Sequence, residues 1–207
     1  MTALFPIFLK LQGRRVLVVG GGRVAGQKLQ SLMYAGATLT VVAPGVSDDL
    51  VREHINSGDV RWKPRRFEPA DLDGMTLVIA ATDDAAVNER IYRSADTLGI
   101  LCNSSDEPER CHFYYPAVVQ RGDLQIAIST NGRSPALAQR IRKELEARYD
   151  ETYADWLRWL GDVRSLYFRL QIGTKQRLRV LHQIASNSVY ERYRSARQHH
   201  PGEAQNG

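Results

Sequence analysis

The sequence contains only two cysteines, Cys102 and Cys111, in 207 residues. Two cysteines at this spacing provide neither a disulfide framework nor a zinc-binding motif. No apolar run approaches the roughly 18 residues that a membrane-spanning helix needs. The first residues also lack the basic start and small-residue cleavage site of a signal peptide. We therefore expect a cytoplasmic protein without disulfides, a protein-held metal or a membrane segment.

A strong excess of charge is also lacking over most of the chain. The net charge is +5, and residues 151–207 carry nine Lys or Arg against five Asp or Glu, so most of the excess lies there. A basic tail can bind nucleic acid. Because no aromatic residues alternate with these charges in a recognition pattern, we interpret the tail as helices with a solvated basic face and expect no nucleic-acid partner.

Apolar segments of strand length alternate with segments of helical periodicity over the first half of the chain. This alternation is typical of a parallel sheet covered by helices on both faces, which predicts an α/β, Rossmann-like domain over residues 1–113. The predicted strands are 14–19, 37–44, 59–67, 76–84 and 100–104, and the predicted helices are 24–36 and 84–99.

The pattern changes after residue 113. Residues 115–130 predict an antiparallel hairpin that turns at 121–123, and residues 131–149 predict a helix with Ser134 as its N-cap and Pro135 as its first residue. We expect a small α+β unit over 114–149 and a helical C-terminal region over 150–195. Residues 196–207 are polar, and we expect them to be disordered.

The segment VLVVGGGRVAGQK, residues 16–28, places a glycine loop between a strand and a helix. Gly20, Gly22 and Ala25 match the G-x-G-x-x-G/A pattern of dinucleotide binding. In that pattern the small residues allow a tight turn, close approach to the pyrophosphate and close packing of helix on strand. The full set of candidate cofactor-binding residues is Gly20, Gly21, Gly22, Arg23, Val24, Ala25, Pro44, Gly45, Thr82, Asp83 and Asn103.

An acidic residue is missing where the second predicted strand ends. Dinucleotide-binding domains commonly place Asp or Glu there to hold the ribose hydroxyl groups, whereas this chain has Ala43, Pro44 and Gly45. No arginine stands at this point to bind a 2′-phosphate. The sequence therefore favours NAD over NADP as the cofactor.

Standard catalytic arrangements are also missing, but two polar stretches stand out. Residues 101–117 follow the fifth strand and place Asp106 at the carboxyl end of the sheet, where open α/β folds bind ligands. Residues 129–135 lead into a helix N-terminus that could bind an anion. From the residues alone, Asp106 is equally compatible with catalysis and with a capping role.

Several segments of this chain, in this order, resemble one known family. It is the precorrin-2 dehydrogenase and sirohydrochlorin ferrochelatase family of sirohaem synthesis, whose members occur alone and as the N-terminal half of fused sirohaem synthases. The segments are LFPIFLKLQGRRVLVVGGGRVAGQK, AGATLTVVAP, LVIAATDDAAVNERI, LCNSSDEPERCHFYYPAVVQRGDLQIAIST and NGRSPALAQRIRKELE. The resemblance is close over residues 4–147 and looser in the helical tail.

The resemblance implies NAD-dependent oxidation of precorrin-2 to sirohydrochlorin, with Asp106 as the catalytic residue. Some members of the family also insert ferrous iron to give sirohaem, others only dehydrogenate, and this sequence is compatible with both. The resemblance further implies a homodimer in which the hairpin, the following helix and the helical tail form the dimerisation region.

The resemblance implies an anionic tetrapyrrole as substrate, and arginines with backbone donors are the groups that bind carboxylates. We expect them in the two polar stretches, with Arg140 on the helix that follows. The candidate substrate-binding residues are Arg110, His112, Thr130, Asn131, Gly132, Arg133 and Ser134.

A second hypothesis is an NAD-sensing regulatory domain without catalysis. Such domains also begin with a glycine loop, but they usually end the second strand in an acidic residue. They also have no need for residues 103–106 or 129–135, so the enzyme is the favoured interpretation.

Overall fold

A computed structural model describes residues 3–105 and 107–199, with side chains as far as residue 197. The chain forms two compact units, one of residues 5–115 and one that comprises the rest of the described chain. Within the described residues, no helix is both long and apolar enough to cross a membrane.

The first unit is a five-stranded parallel sheet with the strand order β3-β2-β1-β4-β5. Its strands are β1 (Arg15–Val19), β2 (Thr38–Val42), β3 (Val60–Lys63), β4 (Leu77–Ala80) and β5 (Leu101–Ser104). Its helices are α1 (Arg23–Tyr34), α2 (Asp49–Asn56) and α3 (Ala85–Thr97), with short 3-10 helices at Pro69–Leu72 and Pro108–Arg110.

Strand β1 shows why the central strands read as continuous apolar runs. Val16 and Val18 pack with Leu29 of α1 in one hydrophobic cluster, while Leu17 packs with Ile91 of α3 in another. Successive strand residues point to opposite faces, so a sheet covered on both sides needs apolar residues at every position. The predicted Rossmann-like architecture is confirmed.

Helix α2 is a difference from the sequence analysis, which assigned no helix between the second and third strands. Asp48 caps this helix by accepting a hydrogen bond from the Val51 backbone N–H at 3.2 Å. Val51 is completely buried and Ile55, one turn later, packs on the same cluster. An N-cap aspartate followed by apolar residues four apart was the signal that could have predicted the helix.

The second unit contains a two-stranded antiparallel sheet and four helices. These are β6 (Ala117–Arg121), β7 (Leu124–Ile128), α4 (Pro135–Arg148), α5 (Thr152–Arg169), α6 (Thr174–Ile184) and α7 (Asn187–His199). The hairpin loop is Gly122-Asp123, and Gly122 has φ +53°, a left-handed conformation that glycine adopts without strain. The predicted hairpin and the Ser134-capped helix are both present.

Helix α7 replaces part of the disordered tail that we expected from residue 196. The helix continues to His199, while residues 200–207 lie outside the described residues. Tyr190 holds it in place: it is 3% exposed, and its hydroxyl donates to Asp150 Oδ1 at 2.9 Å. Its ring packs on Tyr153 and Trp156 of α5. Because α7 is held by this one buried tyrosine, its polar sequence shows no apolar periodicity from which the helix could have been predicted.

Candidate functional site

The predicted cofactor residues lie at the carboxyl edge of the parallel sheet. Gly20 follows β1 and Ala81 follows β4, which is the neighbour of β1 in the sheet. After β1 the chain continues to β2 and β3 on one side of the sheet, and after β4 it continues to β5 on the other side. Open α/β sheets bind ligands in the crevice at this point of reversal. The fold therefore brings the glycine loop and the end of β4 together, as the sequence analysis expected.

Gly20 and Gly21 are required by close backbone contacts. Gly20 has φ +126°, and a Cβ there would lie 2.2 Å from the Ala81 carbonyl oxygen. A Cβ on Gly21 would lie 2.4 Å from the Gly45 carbonyl oxygen. The Gly21 carbonyl also accepts hydrogen bonds from the Ser47 and Asp48 backbone N–H groups. These two glycines thus join the loop to the ends of β4 and β2.

Gly22 differs, because a Cβ there would meet only Ser47 Oγ at 3.8 Å. Gly22 is the N-cap of α1, and among the described residues no side chain caps this helix. The first backbone N–H groups of α1 therefore receive no side-chain cap from the described residues. An uncapped helix N-terminus beside an open glycine fits the pyrophosphate of a dinucleotide. Arg23 and Val24 are exposed at the same edge.

The helix packs closely on the sheet through Ala25, which is completely buried. The neighbouring Gly26 has an additional role that the sequence analysis missed. A Cβ on Gly26 would lie 2.2 Å from Asp48 Oδ1, the cap of α2. The two adjacent small residues in the sequence were the only signal of this contact between α1 and α2.

The end of β2 carries no acidic side chain near the expected ribose position. Ala43 is buried, Pro44 and Gly45 are exposed, and a Cβ on Gly45 would meet nothing within 4 Å. Trp62 Nε1 donates to the Ala43 carbonyl oxygen at 3.1 Å. The chain at Pro44 and Gly45 therefore leaves open space, and no carboxylate of its own, where the ribose is expected.

Three charged residues form an ion-pair cluster just beyond β3. Arg65 makes a bidentate contact with the Asp71 carboxylate at 2.6 and 2.8 Å, and Lys63 Nζ lies 2.7 Å from Asp71 Oδ1. Burial would raise the pKa of Asp71, but the hydrogen bonds from Arg65 and Lys63 outweigh it and lower the pKa to about 2. Both cations are thus engaged near the strand end where a 2′-phosphate would need them.

At the end of β4, Thr82 is held by Asn88, a residue that the sequence analysis missed. The Thr82 hydroxyl donates to Asn88 Oδ1 at 2.7 Å, and Asn88 Nδ2 donates to the Thr82 carbonyl at 3.0 Å. Asn88 is completely buried, whereas Asp83 is exposed. This pair fixes the end of β4 that borders the crevice.

Asn103, on β5, is turned into the protein. Its side chain is buried and its Nδ2 donates to the Phe113 carbonyl at 2.8 Å and to Cys111 Sγ at 3.4 Å. The Ser104 N–H also donates to Cys111 Sγ, at 3.3 Å. Asn103 therefore shapes the site by holding the chain that returns from the polar stretch.

Asp106 lies outside the described residues, so its assignment stays a prediction. The residue before it is well defined: the backbone N–H and the hydroxyl of Ser105 both donate to the Ala80 carbonyl at 3.0 Å. This contact fixes the start of the polar stretch at the end of β4.

Arg110 and His112 are engaged with α3. Arg110 Nη1 donates to the Ala85 carbonyl at 3.3 Å. His112 accepts the Cys102 N–H at Nδ1 at 3.0 Å and contacts Asp96 through Nε2 at 3.1 Å. These contacts favour a bracing role for both side chains, and their assignment to substrate binding remains a prediction.

The second candidate stretch lies at the start of α4 in the other unit. Asn131 and Gly132 have φ +52° and +74°, and the Ser134 N–H donates to Thr130 Oγ1 at 3.2 Å. Ser134 Oγ in turn accepts the Leu137 N–H at 3.2 Å. Arg133 is exposed beside this turn. The hairpin and helix thus present a compact polar turn with a cation.

Two further features bear on the chemistry. Among the described residues, no group of three or more His, Cys, Asp or Glu side chains could hold a metal ion. Arg140 lies further along α4. Its Nε is 3.7 Å from Glu144 Oε1, and both side chains are largely exposed.

Comparison with known proteins agrees with this geometry. The family described as "Putative NAD(P)-binding" matches residues 7–117, and the family described as "Sirohaem biosynthesis protein central" matches residues 121–148. The solved structure titled "SirC, precorrin-2 dehydrogenase" superposes with a TM-score of 0.76 at 34% identity. That match covers 89% of this chain and 90% of the other. The chain belongs to the precorrin-2 dehydrogenase family.

Curated relatives include the sirohaem synthase of Photorhabdus laumondii, 39% identical over 87% of this chain, and sirohaem synthase 1 of Aeromonas salmonicida, 45% identical over 77%. This chain spans 37% and 34% of those two proteins, about a third of their length. Membership of the family confirms the resemblance drawn from the sequence motifs. The NAD(P)-binding character of the first unit is confirmed as well.

Proposed function

We propose that this chain oxidises precorrin-2 to sirohydrochlorin with NAD. Bound NAD supplies the hydride acceptor, and the balanced reaction yields sirohydrochlorin, NADH and a proton. The observation that carries the proposal is the nearly end-to-end match with a solved precorrin-2 dehydrogenase, which includes both units of this chain. The open N-terminus of α1 beside Gly22 supports it independently.

In this proposal the first unit holds the cofactor. The N–H groups at the start of α1 bind the pyrophosphate, and Gly22 leaves room for it. The end of β4, fixed by Thr82 and Asn88, borders the nicotinamide. Because Lys63 and Arg65 are already paired with Asp71, the strand ends offer little to a 2′-phosphate, which favours NAD over NADP.

Asp106 is the proposed proton acceptor. A carboxylate beside the reacting ring can take the proton that leaves when the hydride is transferred. Asp106 follows Ser105 in the sequence, and the bond of Ser105 to the end of β4 supports this proposal. We expect Asp106→Ala to abolish turnover and to leave NADH affinity unchanged within about a factor of two, since the cofactor contacts lie elsewhere.

Residues 130–134 are proposed to bind carboxylates of the tetrapyrrole. Arg133 supplies a guanidinium group, and the turn at Asn131 and Gly132 brings backbone groups close to it. We further propose that the protein is a homodimer whose dimerisation region is the hairpin, α4 and the C-terminal helices. The cytoplasm is the proposed location.

The direct test combines purified protein, NAD and precorrin-2, with sirohydrochlorin and NADH absorbance followed together. Equal amounts of both products are expected, and NADP should support a much lower kcat/KM. NADH binding without any turnover would favour the NAD-sensing regulatory domain and would contradict the proposed enzyme.

Iron insertion is tested separately. Sirohydrochlorin is mixed with ferrous iron or cobaltous ion under anaerobic conditions, with and without the protein. An enzyme-dependent increase in the rate of sirohaem or cobalt-product formation would assign ferrous iron as a second substrate. A rate equal to the uncatalysed one would restrict the function to dehydrogenation.

A further inference from the structure

Lys28 makes an unusual contact in the first unit. It lies on α1, and its ammonium nitrogen is 3.4 Å from the centre of the Tyr115 ring. Burial lowers the pKa of Lys28, and the nearby Cys111 opposes this effect. A lysine on a helix surface normally keeps its ammonium group in water. Here the group lies on an aromatic face, where the ring electrons stabilise it.

The Tyr115 ring, rather than its hydroxyl, makes this contact. The hydroxyl is buried and has no hydrogen-bond partner among the described residues, and burial raises the pKa of Tyr115 to about 12. The ring lies 5.8 Å from the Phe113 ring, and both pack on the hydrophobic cluster that contains Ala25 and Leu29 of α1. Lys28 and Tyr115 therefore join α1 to the chain that returns from the polar stretch.

That returning chain is tied to β5 on its other side. The His112 N–H donates to the Cys102 carbonyl at 2.8 Å, and Asn103 donates to the Phe113 carbonyl at the same distance. The polar stretch thus begins at Ser105, bound to Ala80, and ends in a segment held between β5 and α1.

We propose that Lys28 is a positioning residue that fixes the loop 107–115, which carries the substrate-binding candidates Arg110 and His112, relative to the helix that receives the cofactor phosphates. It acts through the face of Tyr115 and touches neither substrate nor cofactor. This inference rests on the proposed function, because it assigns the held loop to the tetrapyrrole.

Four variants test the role of Lys28. Lys28→Met keeps the length of the side chain and removes the charge, and Tyr115→Leu removes the ring. Lys28→Arg keeps a cation, and Tyr115→Phe keeps the ring while removing the unpartnered hydroxyl. Gln30→Met is the matched control, because Gln30 is exposed on the same helix.

Steady-state kinetics provide the first measurement. We expect Lys28→Met and Tyr115→Leu each to raise the KM for precorrin-2 at least about fivefold, with kcat and the NADH Kd within about a factor of two of the parent. The double variant should be no worse than either single one, because both remove the same contact. Lys28→Arg, Tyr115→Phe and the control should match the parent.

Limited proteolysis provides a second measurement that needs no substrate. Trypsin can cut after Arg110, within the loop, and mass spectrometry identifies this cut. Faster cleavage at Arg110 is expected in Lys28→Met and Tyr115→Leu, and not in the conservative variants. Each rate is compared at a temperature well below the Tm of every variant.

The outcomes separate this proposal from the proposed function. An unchanged KM and unchanged cleavage in Lys28→Met overturn the positioning role, as does a lower Tm with no selective effect on KM or on Arg110. If the parent protein does not turn over precorrin-2, the proposed function fails. Proteolysis together with NADH binding then still decides whether Lys28 fixes the loop.

Discussion

Three consecutive glycines at the carboxyl end of β1 have different physical roles. Gly20 and Gly21 have close backbone neighbours, so any side chain there collides with the protein itself. Gly22 has open space instead, so its lack of a side chain leaves room for a ligand. The sequence motif predicted a cradle at these positions, but it could not separate the glycines that shape the fold from the one left for the ligand.

This difference gives a prediction for matched substitutions. Gly20→Ala combines a left-handed backbone with a clash against the Ala81 carbonyl, so we expect it to lower the free energy of unfolding by about 2 kcal/mol or more. Gly22→Ala should leave that free energy within about 0.5 kcal/mol and raise the NADH Kd at least about tenfold. Urea unfolding and NADH fluorescence measure the two quantities. Unchanged NADH affinity in Gly22→Ala would contradict the assigned cofactor position.

Asp71 gives a second prediction at the level of single residues. Its pKa in the folded protein is about 2, below the ordinary value of 3.8, so its ionised form stabilises the fold. This contribution is complete above about pH 4 and is lost as the pH falls toward 2; by linkage it amounts to about 2 kcal/mol. Urea unfolding from pH 7 to pH 3 should show a smaller loss for Asp71→Asn than for the parent. Parallel curves would show that Asp71 is not the responsible group.

Among the elements, those with strong apolar periodicity were predicted well and those held by specific tertiary contacts were not. The strands β1, β2 and β4 are almost wholly buried, so their apolar composition alone distinguishes them. Helix α7 has few apolar residues, and Tyr190 is buried through hydrogen bonds to Asp150 and Thr152 of distant sequence. Such a contact cannot be predicted from the sequence of α7, because it depends on how the helices pack.

The N-terminus of α4 provides a prediction for one element. Ser134→Ala removes the cap on the Leu137 N–H and should lower the free energy of unfolding by about 1 kcal/mol. Ser134→Asp keeps a capping oxygen, so stability should be retained. Its negative charge beside Arg133 should, however, raise the KM for an anionic substrate severalfold. An unchanged KM in Ser134→Asp would remove this turn from the proposed substrate site.

At the scale of the whole molecule, the site could be predicted in part. The fold brings the glycine loop and the ends of β2 and β4 to one edge of the sheet, as motifs and the rule that ligands bind at carboxyl strand ends predicted. The role of the turn before α4 in substrate binding stays a prediction. The bracing contacts of Arg110 and His112 with α3 were not predictable, because nothing in the local sequence indicates which way a polar side chain turns. Lys28 was missed for the same reason, since its partner is distant in sequence.

The N-terminal segment bears on the assembly of the whole molecule. Phe5, Ile7 and Phe8 are 85%, 65% and 70% exposed, although they follow one another closely along the chain. Together they present on the order of 400 Å² of apolar surface, roughly half of what each partner buries in a standard interface. A second copy of the chain that covers this segment would relieve the exposure, so the segment is a candidate for a further contact of the proposed homodimer, in addition to the hairpin, α4 and the C-terminal helices.

We therefore expect a solution mass of twice 23.3 kDa by analytical ultracentrifugation. Phe8→Glu places a charge in the exposed apolar segment and should shift the protein toward the monomer, with a Kd at least about tenfold weaker. Leu98→Glu is the control, because Leu98 is also exposed but lies at the end of α3. A monomeric parent protein would refute the homodimer, whereas a dimer that resists Phe8→Glu would exclude the N-terminal segment from the interface and leave the hairpin, α4 and the C-terminal helices as the proposed dimerisation region.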